Sequence, residues 1–380
     1  MILGNATMLF ADYECPPPQP VQPMNNCGEC VTECQICHHE CKCACPNKCA
    51  QLNRHRGPRR EITPNAGPCV ANGVDVFFTA DFIYWTIRED GLEFAATTGF
   101  ASSSTNTSTS QGKIFHPEFK FEPGFKAGLG LDFDHDGWDL YAQYTWLRAK
   151  HDHEHVHPSP TTLLIDFFIL VNGAFTGGVG STATWTSASA KWHEDFNVVD
   201  LELGRNFYIS RYLMLRPHFG LKGTWQTQKF DVSFDGTIST QSTTISSTNH
   251  ENIWGIGIRA GLDTAWHFTR SFSLYGDIAV TGLWEQFEIK RSDLLFNNVT
   301  RTGTVGFHAK NNFHTIEPIF EWEIGLRWET WWCDDDYHFS IEAGWEEQTW
   351  LGQNQFISTG SNGDNLLSLQ GLTTGIRFDF

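Results

Sequence analysis

The last ten residues, Gly371-Leu-Thr-Thr-Gly-Ile-Arg-Phe-Asp-Phe380, constrain the fold more than any other stretch. Leu372, Ile376, Phe378 and Phe380 share one parity, broken only by Thr374, while Thr373, Gly375, Arg377 and Asp379 share the other. A period of two means a β-strand with one apolar and one polar face. Such a strand with an aromatic residue at the terminus suits a sheet that closes on itself in lipid. Its last strand pairs with its first, and no backbone edge is left unsatisfied. Leu372, Ile376, Phe378 and Phe380 are the candidate closure residues.

The same grammar recurs upstream. Val76, Phe78, Ala80, Phe82 and Tyr84 alternate with Asp75, Thr79 and Asp81, although Phe77, Ile83 and Trp85 sit on the polar parity. Phe125, Ala127, Leu129, Leu131 and Phe133 oppose Lys126, Gly128, Gly130 and Asp132. Further runs follow at 138–146, 199–207, 213–225, 254–268, 272–284, 316–328 and 337–345. Short connections near 134–137, 209–211, 269–271 and 333–336 alternate with long ones near 90–118, 150–190, 230–250, 288–312 and 350–368. The pattern predicts an all-β fold, a transmembrane antiparallel up-and-down β-barrel over residues 74–380. It has about ten strands, or about twelve if 150–190 holds an extra hairpin.

Composition fits without deciding. Charged residues make up 18%, the net charge is −18 and the mean hydropathy is −0.32, values a secreted β-sandwich would share. The acidic balance argues against nucleic acid as a partner. No apolar run is long enough for a transmembrane helix. Tryptophan placement discriminates better. Trp85, Trp146, Trp192, Trp225, Trp254, Trp284 and Trp350 fall near the ends of strands that lead to long connections. Trp138, Trp266, Trp331 and Trp332 fall near the short turns. Two levels of amphipathic rings are what the two interfaces of a bilayer select.

Ahead of the barrel, residues 1–11 have no basic start and a weak apolar core, and read either as a signal-peptide remnant or as an ordinary N-terminus. Residues 12–73 form an irregular Cys/Pro-rich segment with Cys15, Cys27, Cys30, Cys34, Cys37, Cys41, Cys43, Cys45, Cys49 and Cys69; Cys333 is the only other cysteine. So little apolar mass cannot build a core, so disulfides or a metal must order the segment if it is ordered. Disulfides in an oxidising compartment and tetrahedral zinc are both open readings. The topology places Cys69 and Cys333 on the short-turn side with the head, which favours disulfides. Because 11 cysteines cannot all pair within one chain, a link to another envelope protein is expected.

The polar faces of the strands give candidate lumen-lining residues. They are Asp81, Glu122, Lys126, Asp132, Asp200, Glu202, Arg216, Lys222, Arg259, Asp263, Asp277, Glu317, Glu321, Glu323, Arg327, Glu342 and Glu346. The acidic excess would bias a channel towards cations. The competing reading is a narrow lumen closed by salt bridges, structural rather than conducting. No resident metal or cofactor is expected. His151, His153, His155 and His157 alternate and are weak metal candidates, and Asp132-x-Asp134-x-Asp136-Gly137 reads as a turn because Gln143 stands where a calcium loop needs Glu. No nucleotide-binding glycine fingerprint or nucleophile elbow occurs, and no enzyme is expected.

Phe77-Phe-Thr-Ala-Asp-Phe-Ile-Tyr-Trp85, Glu89-Asp-Gly-Leu-Glu93, Leu201-Glu-Leu-Gly-Arg205 and Leu215-Arg-Pro-His-Phe-Gly220 resemble the major outer membrane porins of Legionella and Chlamydia-like bacteria. The closing strand likewise resembles that of bacterial outer-membrane barrels, where it is also the insertion signal. The resemblance implies a pore in the bacterial outer membrane for passive diffusion of small hydrophilic solutes, and the even strand count with short turns inside puts both termini in the periplasm. The partners it implies are outer-membrane lipid and the barrel-assembly machinery, with homo-oligomers left open. In the chlamydial members it implies cysteine cross-links that stiffen the envelope. Here the cysteines are gathered in the head, so no pairing pattern carries over. The alternative is a structural or adhesive envelope protein with a closed barrel.

Overall fold

The computed structural model describes residue 70 and residues 73–100, 108–133, 136–158, 162–166, 184–238, 241–332, 337–357 and 365–380. Residues 1–69, with ten of the cysteines, and Cys333 lie outside the described residues. The strands are β1 (Val74–Glu89), β2 (Ala95–Phe100), β3 (Ser108–Phe115), β4 (Phe121–Phe133), β5 (Trp138–Val156), β6 (Thr162–Asp166) and β7 (Thr184–Arg205). Then come β8 (Phe207–Tyr208), β9 (Leu213–Ile238), β10 (Gln241–His267), β11 (Phe272–Asn297), β12 (Thr302–Trp332), β13 (Tyr337–Trp350) and β14 (Leu367–Asp379).

Ten of them form a closed antiparallel ring in the order β1-β4-β5-β7-β9-β10-β11-β12-β13-β14. β14 completes it as the alternation requires, pairing with β1 from Phe77↔Asp379 to Glu89↔Leu367 and with β13 from His338↔Asp379 to Trp350↔Leu367. Leu372, Ile376 and Phe380 point outward and are 39–51% exposed. The outward belt continues through Phe82, Phe125, Leu221, Ile258, Ile278, Phe320 and Ile341, all exposed. Apolar side chains that would be costly in water mark the lipid-facing wall.

The ring has two heights. β1, β4, β13 and β14 have 16, 13, 14 and 13 residues. β5, β7, β9, β10, β11 and β12 have 19, 22, 26, 27, 26 and 31. The extra length lies away from the short turns, so six strands form a tall wall at the loop end. At about 3.3 Å per residue, 26 residues exceed what a bilayer core needs. β2, β3 and β6 form a separate small sheet in the order β3-β2-β6.

Two features differ from the sequence expectation. The stretches 230–250 and 288–312, expected as loops, belong to strands: β9 and β10 pair up to Gln241↔Ile238, and β11 and β12 up to Asn297↔Thr302. Their Ser, Thr and Asn content reads as solvated loop, yet Val232 and Phe234 on β9, with Ile245 opposite Phe234 on β10, bury an inner face. Within 150–190, β5 continues to Val156, and β6 joins β2 rather than adding a barrel hairpin. The described ring therefore has ten strands, not twelve.

Candidate functional site

The lumen is the candidate site, and alternation determines what enters it. Towards the turn end it holds a polar cavity of about 240 Å³. Asp81, Lys126, Asp200, Glu202, Arg216, Arg259, Asp263, Asp277, Glu321, Glu323, Arg327, Glu342 and Glu346 line it. Lys222 is buried beside it, and Asp132 is buried near Arg377 at 3.6 Å. Glu122 and Glu317 stay outside the cavity, half-buried on the inward parity nearer the loop end.

Each cation in this set is held by carboxylates. The Arg216 guanidinium donates to Asp139 and Asp263, both at 2.6 Å, and to Glu202 at 3.2 Å. Lys222 Nζ lies 2.8 Å from Asp200 and 2.9 Å from Glu321. Arg259 reaches Glu202 at 3.2 Å and Glu321 at 3.0 Å. Lys126 Nζ donates to Glu346 at 2.6 Å, and Arg327 Nε to Glu342 at 2.9 Å. Buried charges persist only when paired in this way. Acidic groups still outnumber basic ones among the lining residues.

At the turn-end mouth, a chain runs from His267 through Glu329 and His338 to Asp379. The Asp379 carboxylate lies 2.6 Å from His338 Nδ1, and Glu329 lies 3.3 Å from His338 Nε2 and 3.2 Å from His267 Nδ1. Arg377 caps it, donating from Nε to Asp379 at 3.0 Å and lying 3.8 Å over the Phe77 ring. The sequence reading left Arg377, Asp379, Asp139 and His338 out of the lumen set. Parity was the available signal for Arg377 and Asp379, which share the polar face of the closing strand.

Glu202, His218 and Asp263 are the described residues close enough together to hold a metal ion. Arg216 already spans both carboxylates, so a guanidinium meets the negative charge there. Of the four alternating histidines, the side chains of His151 and His157 are described, and those of His153 and His155 lie outside the description. His151 is fully buried and stacks on Trp192 at 5.5 Å, while His157 is exposed and near the Thr186 carbonyl at 3.0 Å. Burial, and then the neighbouring Lys120 charge, push the His151 imidazole down to about 4. It is a packed core histidine.

Above the cavity the lumen is crossed by apolar side chains. Ile83, Trp85, Leu147, Phe196, Leu283, Ile319, Trp350 and Leu369, from seven strands of the ring, are all fully buried and belong to one apolar cluster. Phe196 on β7 meets Trp350 on β13 edge-on at 5.3 Å between ring centroids. These strands are five places apart in a ring of ten, so the contact crosses the full bore. The Trp85 indole donates to Thr373 Oγ1 at 3.1 Å and the Trp350 indole to Gln348 Oε1 at 3.2 Å. Lys126 Nζ lies 5.0 Å from the Trp85 ring centre and Lys222 Nζ 5.8 Å from that of Trp350, closing the seal with cation–π contacts. Residues 351–357 fold in from the loop end: Phe356 stacks on Phe230 at 6.1 Å, and Gln353 donates to Glu285 at 2.8 Å.

This corrects the tryptophan expectation. Trp85, Trp192 and Trp350 point into the barrel and are at most 1% exposed, whereas Trp225, Trp254 and Trp284 face outward at 42–48%. Near the turns, Trp266 and Trp332 face outward while Trp331 lines the cavity. A ring at the right height still has to choose a face, and parity assigns Trp85 and Trp192 inward.

The model of a family described as Legionella pneumophila major outer membrane protein precursor matches residues 66–380. The chain belongs to this family. It is therefore an outer membrane protein, and its ring is an outer-membrane β-barrel. Among solved structures it is similar to the Escherichia coli outer membrane protease OmpT, at 10% identity over 80% of this chain and 97% of that one, with a TM-score of 0.35. It is also similar to the Yersinia pestis attachment invasion locus protein Ail, at 12% identity over 81% and 99%, with a TM-score of 0.24. A Pseudomonas aeruginosa FadL homologue matches at 8% identity over 87% and 97%, with a TM-score of 0.24. At these scores the three carry no argument about function. No curated protein matches.

Proposed function

We propose that this outer membrane protein is a barrel whose lumen is shut at rest, serving as a structural and surface-presenting element of the envelope rather than as an open diffusion pore. The observation that carries the reading is the Phe196–Trp350 contact across the bore. The turn end, where β1 begins and β14 finishes, is assigned to the periplasm and the tall wall to the exterior, since short turns inside and long extensions outside are the habit of such barrels. In sequence Cys333 follows the last residue of β12, and disulfides from it and from the cysteine-rich segment to other envelope proteins are proposed. Non-reducing gels of isolated envelopes test that link.

The decisive experiment is planar-bilayer recording of purified, reconstituted protein. The expected result is no stable conductance steps from the wild type. Steady open-channel steps would overturn the closed reading.

A gated cation channel is the second reading, and one observation favours it: part of the seal, residues 351–357, is loop rather than strand and sits over an acidic cavity. Deleting 351–357 and recording in a salt gradient tests it. Cation-selective steps would support gating, and silence would leave the closed barrel.

A further inference from the structure

The register of the tall wall aligns basic side chains that lie far apart in sequence. Lys150 on β5 pairs with His193 on β7, and His193 with Lys229 on β9. Lys229 pairs with His250 on β10, His250 with Lys290 on β11, and Lys290 with Lys310 on β12. All six alternate with inward residues and therefore point outward. They form one lateral row across every strand of the tall wall, on a chain whose net charge is −18.

Fold stability does not ask for this row. Neighbouring strands stand about 4.8 Å apart, and like charges directly opposite each other destabilise a sheet. The repulsion registers at His250, whose imidazole is held below its ordinary range by burial and then by the Lys290 and Lys229 ammonium groups. Counter-charges exist off the row: Asp231 lies 2.8 Å from Lys229, Glu288 2.6 Å from Lys290 and Asp195 3.2 Å from His193. On the adjacent rows Arg148 and Lys191 stand directly opposite Asp195 and Asp152 and are balanced by them, so the unbalanced positive charge belongs to the row itself.

Height identifies the ligand class. The row stands four residues beyond the outward Trp146, Trp225 and Trp254, and six beyond Trp284. On strands tilted by about 40°, these four positions stand roughly 10–15 Å above the Trp of their own strands, and the row as a whole slopes against the membrane plane. A phospholipid headgroup layer is only about 5–8 Å thick, so its phosphates fall short of the row. Six positions also span about 24 Å, more than one phosphodiester can meet.

We propose that this row is a binding site for the phosphate groups of a sugar-headed, multiply phosphorylated lipid of the outer leaflet. The proposal rests on the assignment of the tall wall to the exterior. It is tested on purified protein in detergent, so its failure leaves the conductance question untouched.

The probes are lipopolysaccharide, the same glycolipid stripped of phosphate, and phosphatidylglycerol, each titrated against wild type and a Lys150→Gln/Lys229→Gln/Lys290→Gln/Lys310→Gln variant. The expected result is salt-sensitive binding of lipopolysaccharide that falls at least about tenfold in the variant. Phosphate removal should weaken binding to the wild type by a similar factor, an arm that needs no altered protein. Equal binding by variant and wild type, equal binding of the stripped lipid, or equally tight binding of phosphatidylglycerol would each overturn the proposal.

Discussion

The Phe196 ring meets the Trp350 indole at 5.3 Å although their strands face each other across the whole ring. The contact joins the tall wall to the low wall and separates the polar cavity from the loop end. Truncating a buried Phe or Trp to Ala costs about 3–5 kcal/mol, with the two costs non-additive because the rings touch. The expected outcome for Phe196→Ala/Trp350→Ala is a lower unfolding temperature together with new solute uptake in liposome swelling. Phe196→Leu keeps the volume nearly filled and should stay tight. An impermeable double variant that folds would show that the rings are not the barrier.

Lys222 provides a second prediction. Its ammonium is shared by Asp200 and Glu321 in a buried setting, and removing one partner of a buried pair costs about 3–5 kcal/mol because the other charge is stranded. Lys222→Met should sharply lower the unfolding midpoint in denaturant. Adding Glu321→Gln should recover part of the loss. A second substitution that only deepens the loss would argue against shared charge as the cause.

Acidity tunes the loop end. Glu89, Glu194 and Glu251 meet inside the tall wall, above the aromatic girdle, with the Gln228 amide beside Glu89. Burial pushes Glu89 from 4.5 up to about 8, and burial followed by mutual repulsion raises Glu194 and Glu251 well above the ordinary carboxylate range. The folded state therefore holds protons that the unfolded chain releases. Stability from Glu89 is full below about 4.5 and is lost as pH rises towards about 8. The unfolding temperature in detergent should fall across that window, and Glu89→Gln should flatten the slope. A rising profile would contradict the assignment.

Gly130 allows an aromatic lid. The Phe77 ring covers it so closely that an added Cβ would clash with the ring, and Phe77 also stacks on Tyr141 at 5.6 Å beneath Arg377. Gly130→Ala should displace Phe77 and cost about 1–3 kcal/mol, the range for overpacking. The check is the unfolding midpoint beside that of Gly130→Ala/Phe77→Leu, which should be partly relieved.

Much of this architecture was legible as alternation. Closure of β14 on β1, the turn-end connections and most of the lumen set follow from period two and parity. The seal was harder to see because a Trp near a strand end suits either a membrane interface or a core. Parity held the answer: Trp192 and Phe196 share a face with Asp200 and Glu202, so rings and charges enter the same bore. The extended tall wall was hidden by composition, since Thr and Ser serve a strand's polar face as well as a loop. The row from Lys150 to Lys310 could not be read at all, because it exists only once six strands are in register.

The unequal walls give the molecule a front and a back. Something sliding along the bilayer surface meets an upright palisade on the side of β5 to β12 and a low sill on the side of β13 to β4. Among the described strands, a neighbour in the membrane therefore meets paired backbone well above the lipid along one flank and not along the other. Rotation about the membrane normal, immaterial for a symmetric cylinder, decides which face of this barrel any adjoining molecule touches.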